Sequence, residues 1–219
     1  MTKGKSDQKY FGLKPRSSEV SIPLPQDEEL PPEVVRTLAE LPKLNNLRMF
    51  ARVPRCFNTL MSFIDEIFNH GNFDKRLREC MYIRISYVCG LYYELRHNLL
   101  FARNLGMTEA EIAALTSEVE VNQLDDEANL VCKAAEEITK NISISDKTLK
   151  QLLDRFDVDT TSELILLVSW FNMLIRYVES MRVPYEQNLE RIITGPYPVK
   201  LKSQVKYRCP DSHLHGHRE

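Results

Sequence analysis

The chain has 219 residues and a mass of 25.5 kDa, enough for one ordinary domain with tails and for a core that needs no staples. Its 29 basic and 31 acidic side chains leave a formal charge of −2 and a pI near 6.2. That balance excludes a broad nucleic-acid surface and a polybasic membrane anchor, since either requires an excess of positive charge.

Five cysteines (Cys56, Cys80, Cys89, Cys132, Cys209) are odd in number and scattered, which speaks against a disulfide framework. Met1 to Gly12 is polar and lysine-rich without an apolar stretch, so no secretory leader is read and a reducing, cytoplasmic setting is expected. The longest apolar run, Leu164 to Trp170, is broken by Ser169 and is too short to span a bilayer.

Seven glycines, few alternating apolar stretches and many three-and-four spacings predict an all-α protein with no strand. Residues 1–30, with Pro15, Pro23 and Pro25, read as an irregular arm ordered only if it wraps a neighbour. Pro31-Pro32 opens a helix to about Leu41. A second runs from Pro54 to about Asn69, carrying Phe57, Leu60, Met61, Ile64, Ile67 and Phe68 at helical spacing. Asp74 to about Val88 follows, Gly90 breaks the chain, and Leu91 to Leu105 is the next helix, stopped by Gly106.

Thr108 to Glu111 forms a capping box for a short helix to about Leu115. Two amphipathic helices are expected over Asp126–Lys140 and Ser145–Phe156. A second capping box, Thr160 to Glu163, would start the most apolar helix, through about Arg182, so apolar on all sides that it must be surrounded by its own fold or by another subunit. Pro184 to about Ile193 closes a helical domain placed at residues 31–195, and residues 196–219 read as a flexible tail. The tail's His213, His215 and His217 lack carboxylate partners and a rigid frame, so no metal site is expected there.

Chemistry concentrates around Gly90. Glu79 lies on one helix, and Glu94, His97 and Asn98 lie on the next at i, i+3 and i+4, which places those three on one face. If the helices pack as a hairpin, two carboxylates and an imidazole converge. In an apolar interior at least one carboxyl pKa would rise toward neutrality and supply a proton donor or acceptor. An exposed Glu–His ion pair on a solvated face accounts for the spacing equally. Arg48 and Arg84 sit in apolar surroundings, where a guanidinium can clamp a substrate carboxylate or make a structural ion pair, for Arg84 with Glu79 or Glu94. Tyr87, Tyr92, Tyr93, Trp170 and Phe171 are candidates for a pocket wall or for plain core. No Gly-rich phosphate loop, serine elbow or zinc spacing is present, so nucleotide and metal cofactors are not indicated.

Several of these segments resemble one family. Leu77-Arg78-Glu79, then Tyr93-Glu94-Leu95-Arg96-His97-Asn98, then Ala102 and Gly106 look like the core of the carboxymuconolactone decarboxylase and alkylhydroperoxidase D superfamily. Asn45-Asn46-Leu47-Arg48 with Pro54 resembles its upstream segment, and Glu163 to Val168 with Phe171-Asn172-Met173 its second-half helix, so the likeness runs from about Ile22 to Tyr185. It implies an alkylhydroperoxidase D-like helical bundle and a homo-oligomer, dimer or trimer.

The departures decide which branch this is. Aligned on Glu79, Ala102 and Gly106, the sequence puts Leu91 and Glu94 where the peroxidase branch has its two cysteines, and Asn98 at the usual histidine. Cys89 is two residues too early and has no second thiol. Proton chemistry would then rest on Glu94 and Glu79 with Asn98 orienting substrate, or His97 would substitute through a local shift of the helix. The resemblance implies a cofactor-independent decarboxylase, isomerase or related lyase acting on a small lactone, carbonyl or carboxylated metabolite. Glu79, Glu94 and His97 would be catalytic, with Arg48, Arg84, Tyr93 and Asn98 binding substrate. A peroxidase-like antioxidant and a non-catalytic scaffold are the alternatives; an open apolar pocket beside Glu94 separates enzyme from scaffold.

Overall fold

A computed structural model of the protein describes residues 10–195. These contain ten α-helices and no strand: α1 (Pro32–Glu40), α2 (Asn45–Phe50), α3 (Pro54–Asp65), α4 (Lys75–Val88), α5 (Tyr92–Asn104), α6 (Glu109–Leu115), α7 (Asp126–Asn141), α8 (Asp146–Arg155), α9 (Val158–Met181) and α10 (Leu189–Ile192). The fold is thus all-α, and the residues beyond 195, including the three tail histidines, lie outside the described chain.

The centre of the bundle is α4, not the most apolar helix. Every residue from Leu77 to Ser86 is buried, because α4 packs against α5, α6, α7 and α9 at once. Three of those residues, Arg78, Glu79 and Arg84, are charged, so the core must supply each with compensation. By contrast α9 packs on α2, α4, α7 and α8 but leaves Leu166 at 46% and Met173 at 42% exposure. The described chain therefore does not surround this helix. At 24 residues α9 is also long and apolar enough, by length and composition, to cross a membrane; it extends well past the short apolar run on both sides, and Leu164, Leu167, Val168, Phe171 and Val178 are buried in the bundle.

Backbone chemistry explains the turns. At the end of α4 the N–H of Leu91 donates to Ser86 O (2.8 Å) and that of Gly90 to Tyr87 O (3.0 Å), with Gly90 at φ +69°. This is a Schellman closure, which needs the left-handed region that glycine reaches without strain. It folds α5 back onto α4, and Asn98 Nδ2 then donates to Ser86 Oγ across the hairpin (3.2 Å).

Several boundaries differ from the sequence expectation. The helix from Pro54 widens into a π-helical turn over Glu66–His70. The segment around Asn45 is helical, as α2. Helix α9 starts at Val158, capped by Asp157, whose Oδ1 accepts from Thr160 N (2.6 Å). Thr160 to Glu163 therefore lies inside the helix, and Glu163 instead accepts from Asn72 N (3.2 Å). Of the expected closing helix only Leu189–Ile192 forms; the preceding residues run irregularly, with Asn188 at φ +61°.

Two arginines proposed as substrate clamps are instead structural. Arg48 Nε donates to Pro25 O (2.8 Å) and its Nη2 pairs with Asp27 (2.6 Å), while Arg52 holds Pro23 O and Glu29. With Arg16 bound to Glu179 and Tyr185, and Ile22 N donating to Met181 O, these contacts lay the described part of the arm along its own chain.

Arg84, 2% exposed, donates to Leu115 O, Ser117 O and Val119 O and pairs with Glu136 at 2.5 Å. It ties the α6–α7 connection to the core through Glu136, not through Glu79 or Glu94. Removing a buried, fully partnered guanidinium strands these acceptors. Arg84→Ala is expected to lose about 3–5 kcal/mol in chemical denaturation, and Arg48→Ala, at a partly exposed pair, within about 1 kcal/mol.

Candidate active site

A cavity lies between α2, α3, α4, α5 and α9, lined by Leu44, Asn46, Leu47, Phe50, Ile64, Phe68, Glu79, Tyr82, Glu94, His97, Asn98, Phe101, Trp170, Phe171 and Leu174. All fifteen are buried. Its volume is about 50 Å³. Its wall is aromatic and aliphatic. Tyr82 and Phe171 stack at 4.1 Å, and Phe63 meets the Trp170 indole edge-on at 5.4 Å.

Four of the predicted site residues converge here. Glu79, on the central helix, is 0% exposed and neither carboxyl oxygen has a hydrogen-bond partner; Arg78 Nε stands 3.6 Å from Oε1, an ion pair longer than a hydrogen bond. Burial pushes the Glu79 carboxyl up to about 7 against the lowering pull of Arg78. Glu94, 3% exposed, has an unpartnered Oε1. Burial raises it to about 7, with His97 pulling down and Glu186 and Glu179 pushing up. Asn98 completes the polar face.

His97 borders the cavity with both nitrogens turned to protein. Nδ1 lies 2.8 Å from Tyr93 O, so it carries the donated proton, and Nε2 lies 3.5 Å from Glu186 Oε2. A lone pair on Nε2 would face a carboxylate, so the arrangement favours the imidazolium. Burial opposes that charge, but Glu186, Glu94 and the Tyr93 carbonyl raise the His97 pKa above its usual value.

Tyr93, proposed to bind substrate, does not line this cavity. Its hydroxyl donates to Glu186 Oε1 and accepts from Asn46 N (3.1 Å). Glu186 itself is buried, and Asn45 N donates to Oε1 as well (2.8 Å). Burial would raise the Glu186 carboxyl, yet His97, Tyr93 and Asn45 together hold it below the ordinary carboxylate range.

Glu186 was not legible as a site residue. It follows Pro184-Tyr185 in an irregular segment, shares no helical period with His97, and meets Tyr93 across 93 positions of sequence. Arg48 and Arg84 also stay outside the cavity, held by the arm and by the α6–α7 connection, so no guanidinium clamp for an anion forms there.

Fold and site together define an all-helical bundle whose central cavity is lined by two buried carboxyl groups raised to about 7 and, among the described residues, by no cysteine. The model of the Carboxymuconolactone decarboxylase family (CMD) matches residues 54–137, which cover α3 to most of α7, so this part of the chain is similar to that family. Solved structures share the fold. An uncharacterized peroxidase-related protein from Silicibacter sp. TM1040 superposes with a TM-score of 0.66 at 17% identity, covering 85% of this chain and 100% of that one. The alkylhydroperoxidase AhpD core of an uncharacterized peroxidase-related protein from Ralstonia eutropha JMP134 gives 0.65 at 15% identity, over 84% and 100%. A protein of unknown function from Agrobacterium tumefaciens, described as a candidate AhpD antioxidant-defence protein, gives 0.54 at 15%, over 62% and 93%. No curated protein matches by sequence.

The shifted carboxyls set the sign of a pH effect. Glu79 and Glu94 ionise near 4.5 when unfolded and near 7 when folded, so their share of stability is full below 4.5 and is lost as pH rises to 7. At 1.36 kcal/mol per pKa unit the loss has an upper bound of about 3 kcal/mol each. His97, with its raised pKa, acts in the same direction across neutrality, whereas Glu186, with its lowered pKa, acts only as pH falls below about 4.5. Calorimetry between about pH 5 and about pH 8 is expected to show the melting temperature falling by about 5–15 °C. A flat or rising profile would contradict the buried-acid assignment.

Proposed function

We propose that the cavity performs cofactor-independent acid/base chemistry, a decarboxylation, isomerisation or related lyase step, on a small lactone, carbonyl or carboxylated metabolite. The observation that supports this is that two buried glutamates, both with carboxyl groups raised to about 7 and both with unpartnered oxygens, line one largely apolar hollow. Near neutral pH each group populates its acid and its base form, so one can give a proton while the other takes one.

Glu94 moves the proton. As carboxylate it removes a proton from the carbon next to the substrate carbonyl, the C–H pair becomes the enol double bond, the C=O π pair moves onto oxygen, and Glu79 gives its proton to that oxygen. Glu94 then returns a proton to carbon while the enol O–H returns its own to Glu79, which closes the cycle. Asn98 orients the substrate, while the His97 imidazolium, anchored by Glu186, supports the Glu94 anion without leaving its own partners.

The step can be read without knowing the natural substrate. In heavy water, a panel of small ketones and lactones followed by NMR is expected to exchange hydrogen next to the carbonyl faster with the wild type than with buffer. Glu94→Gln is expected to slow that exchange by about 10²–10⁴-fold. Exchange unchanged in Glu94→Gln would remove Glu94 from the role.

A second reading rests on the peroxidase-related names of the Silicibacter and Ralstonia proteins. In this chain it would fall to Cys89, exposed at the end of α4 with its pKa raised by burial of the thiol. A lone thiol with a raised pKa is a poor peroxide nucleophile. Thiol-dependent peroxide reduction by the wild type that disappears in Cys89→Ser would favour this reading; its absence favours the acid/base one.

A further inference from the structure

We propose that the cavity takes a small uncharged molecule whose carbonyl oxygen accepts a hydrogen bond from Trp170 Nε1, and that it rejects the corresponding carboxylate. This narrows the acid/base reading to lactones and uncharged carbonyl compounds, against decarboxylation and carboxylated substrates, and rests on it only for choosing a carbonyl among acceptors.

The inference starts from the buried polar atoms that the protein leaves without a hydrogen bond: Glu79 Oε1 and Oε2, Glu94 Oε1, His97 Nε2 and Trp170 Nε1 all belong to residues that line the hollow. The indole nitrogen is the one that donates in every protonation state and never accepts. Its ring is wedged between Phe63 at 5.4 Å and Phe50 at 6.4 Å, so the donor is held in place rather than free to turn away. A fixed donor in an apolar wall is satisfied by an acceptor brought in by a guest, and a neutral carboxyl group on Glu79 or Glu94 offers a second donor to the same oxygen.

Charge points the same way. The basic groups near the hollow already stand beside acidic ones or bind elsewhere, and no arginine or lysine lines it. Arg78 stands beside Glu79 and over the Phe68 ring at 4.6 Å, and His97 is turned to Tyr93 and Glu186. Arg48 and Arg84 bind the arm and the α6–α7 connection. A carboxylate guest would meet Glu79 and Glu94 ionising beside it, with Glu186 and Glu179 behind Glu94, and would gain no dedicated cation. Size sets the remaining limit, since a cavity of about 50 Å³ admits only a small guest.

Methyl isopropyl ketone, its analogue with a methylene in place of the carbonyl oxygen, and isobutyrate have the same number of non-hydrogen atoms and nearly the same shape. Calorimetric titration of the full-length protein at about pH 8, above the range where both carboxyls ionise, is expected to show the ketone binding about tenfold or more tighter than either analogue. The chain has one tryptophan, so its single indole N–H resonance is expected to move downfield with the ketone and not with the methylene compound. In Trp170→Phe the ketone is expected to lose about tenfold while the methylene compound is unaffected; if that variant does not fold, the resonance of the wild type decides.

Equal binding of ketone and methylene compound, isobutyrate binding as tightly as ketone, or no ketone binding would each overturn the proposal. Binding and exchange fail separately. Ketone binding without hydrogen exchange would remove the acid/base reading and leave this one, and exchange on a substrate whose binding leaves the indole resonance unmoved would do the reverse.

Discussion

A carboxyl group moved out of water keeps its charge only where hydrogen bonds or a counter-ion replace the lost hydration. Glu79 and Glu94 have been given little of either, and the rest of the molecule is arranged around that shortage. The central helix must be buried on all sides to strip water from Glu79. The Gly90 closure must return α5 along it so that Glu94 reaches the same hollow. Each acid then has one basic neighbour at a distance that moderates its pKa without locking it as an anion: Arg78 for Glu79 and His97 for Glu94. Full salt bridges would have held both groups ionised and removed the poise that proton transfer uses.

Buried acids of another kind show the contrast. Glu186 is almost as deeply placed, yet it accepts from a backbone amide and a phenol and faces an imidazole, so it stays ionised. The protein therefore contains two regimes of buried carboxyl within one cluster, a fixed anion that sets the state of His97 and two adjustable groups that border empty space. The division follows from where hydrogen-bond donors are available, since α2 lends the Asn45 amide to Glu186 and none to the unpartnered oxygens of Glu79 and Glu94.

Much of the bundle was readable from spacing because local rules govern it. The Thr108 cap, the helix start at Asp74, the stops at Gly90 and Gly106, and the i, i+3, i+4 face of Glu94, His97 and Asn98 are all short-range, and each appears where the residues place it. Errors arose where tertiary contacts outweighed them. Thr160 to Glu163 satisfies a capping pattern, but Asp157 caps three residues sooner and Glu163 is drawn to the Asn72 amide. Arg48 and Arg84 look alike in apolar surroundings, and nothing local reveals that one meets the arm and the other three loop carbonyls. Hydrophobicity also ranked α9 above α4, although the more central helix carries the charges; the count of apolar residues does not register how many neighbours a helix has. The partners of Tyr93 and His97 were hidden for the same reason, being distant in sequence and unpatterned.

That distance bears on how the protein is made. Glu186 and the Tyr185 hydroxyl that receives Arg16 belong to the last stretch of the described chain, whereas His97 and Tyr93 lie near its middle. During synthesis the α4–α5 hairpin emerges well before its fixed anion, and for that interval His97 has the Tyr93 carbonyl and Glu94 but not Glu186. The imidazole is then free to rest neutral, and the arm has nothing at its far end to grip. Completion of the buried acid–imidazole cluster and fastening of the arm are thus one event, which waits until the chain has been made through Tyr185 and Glu186.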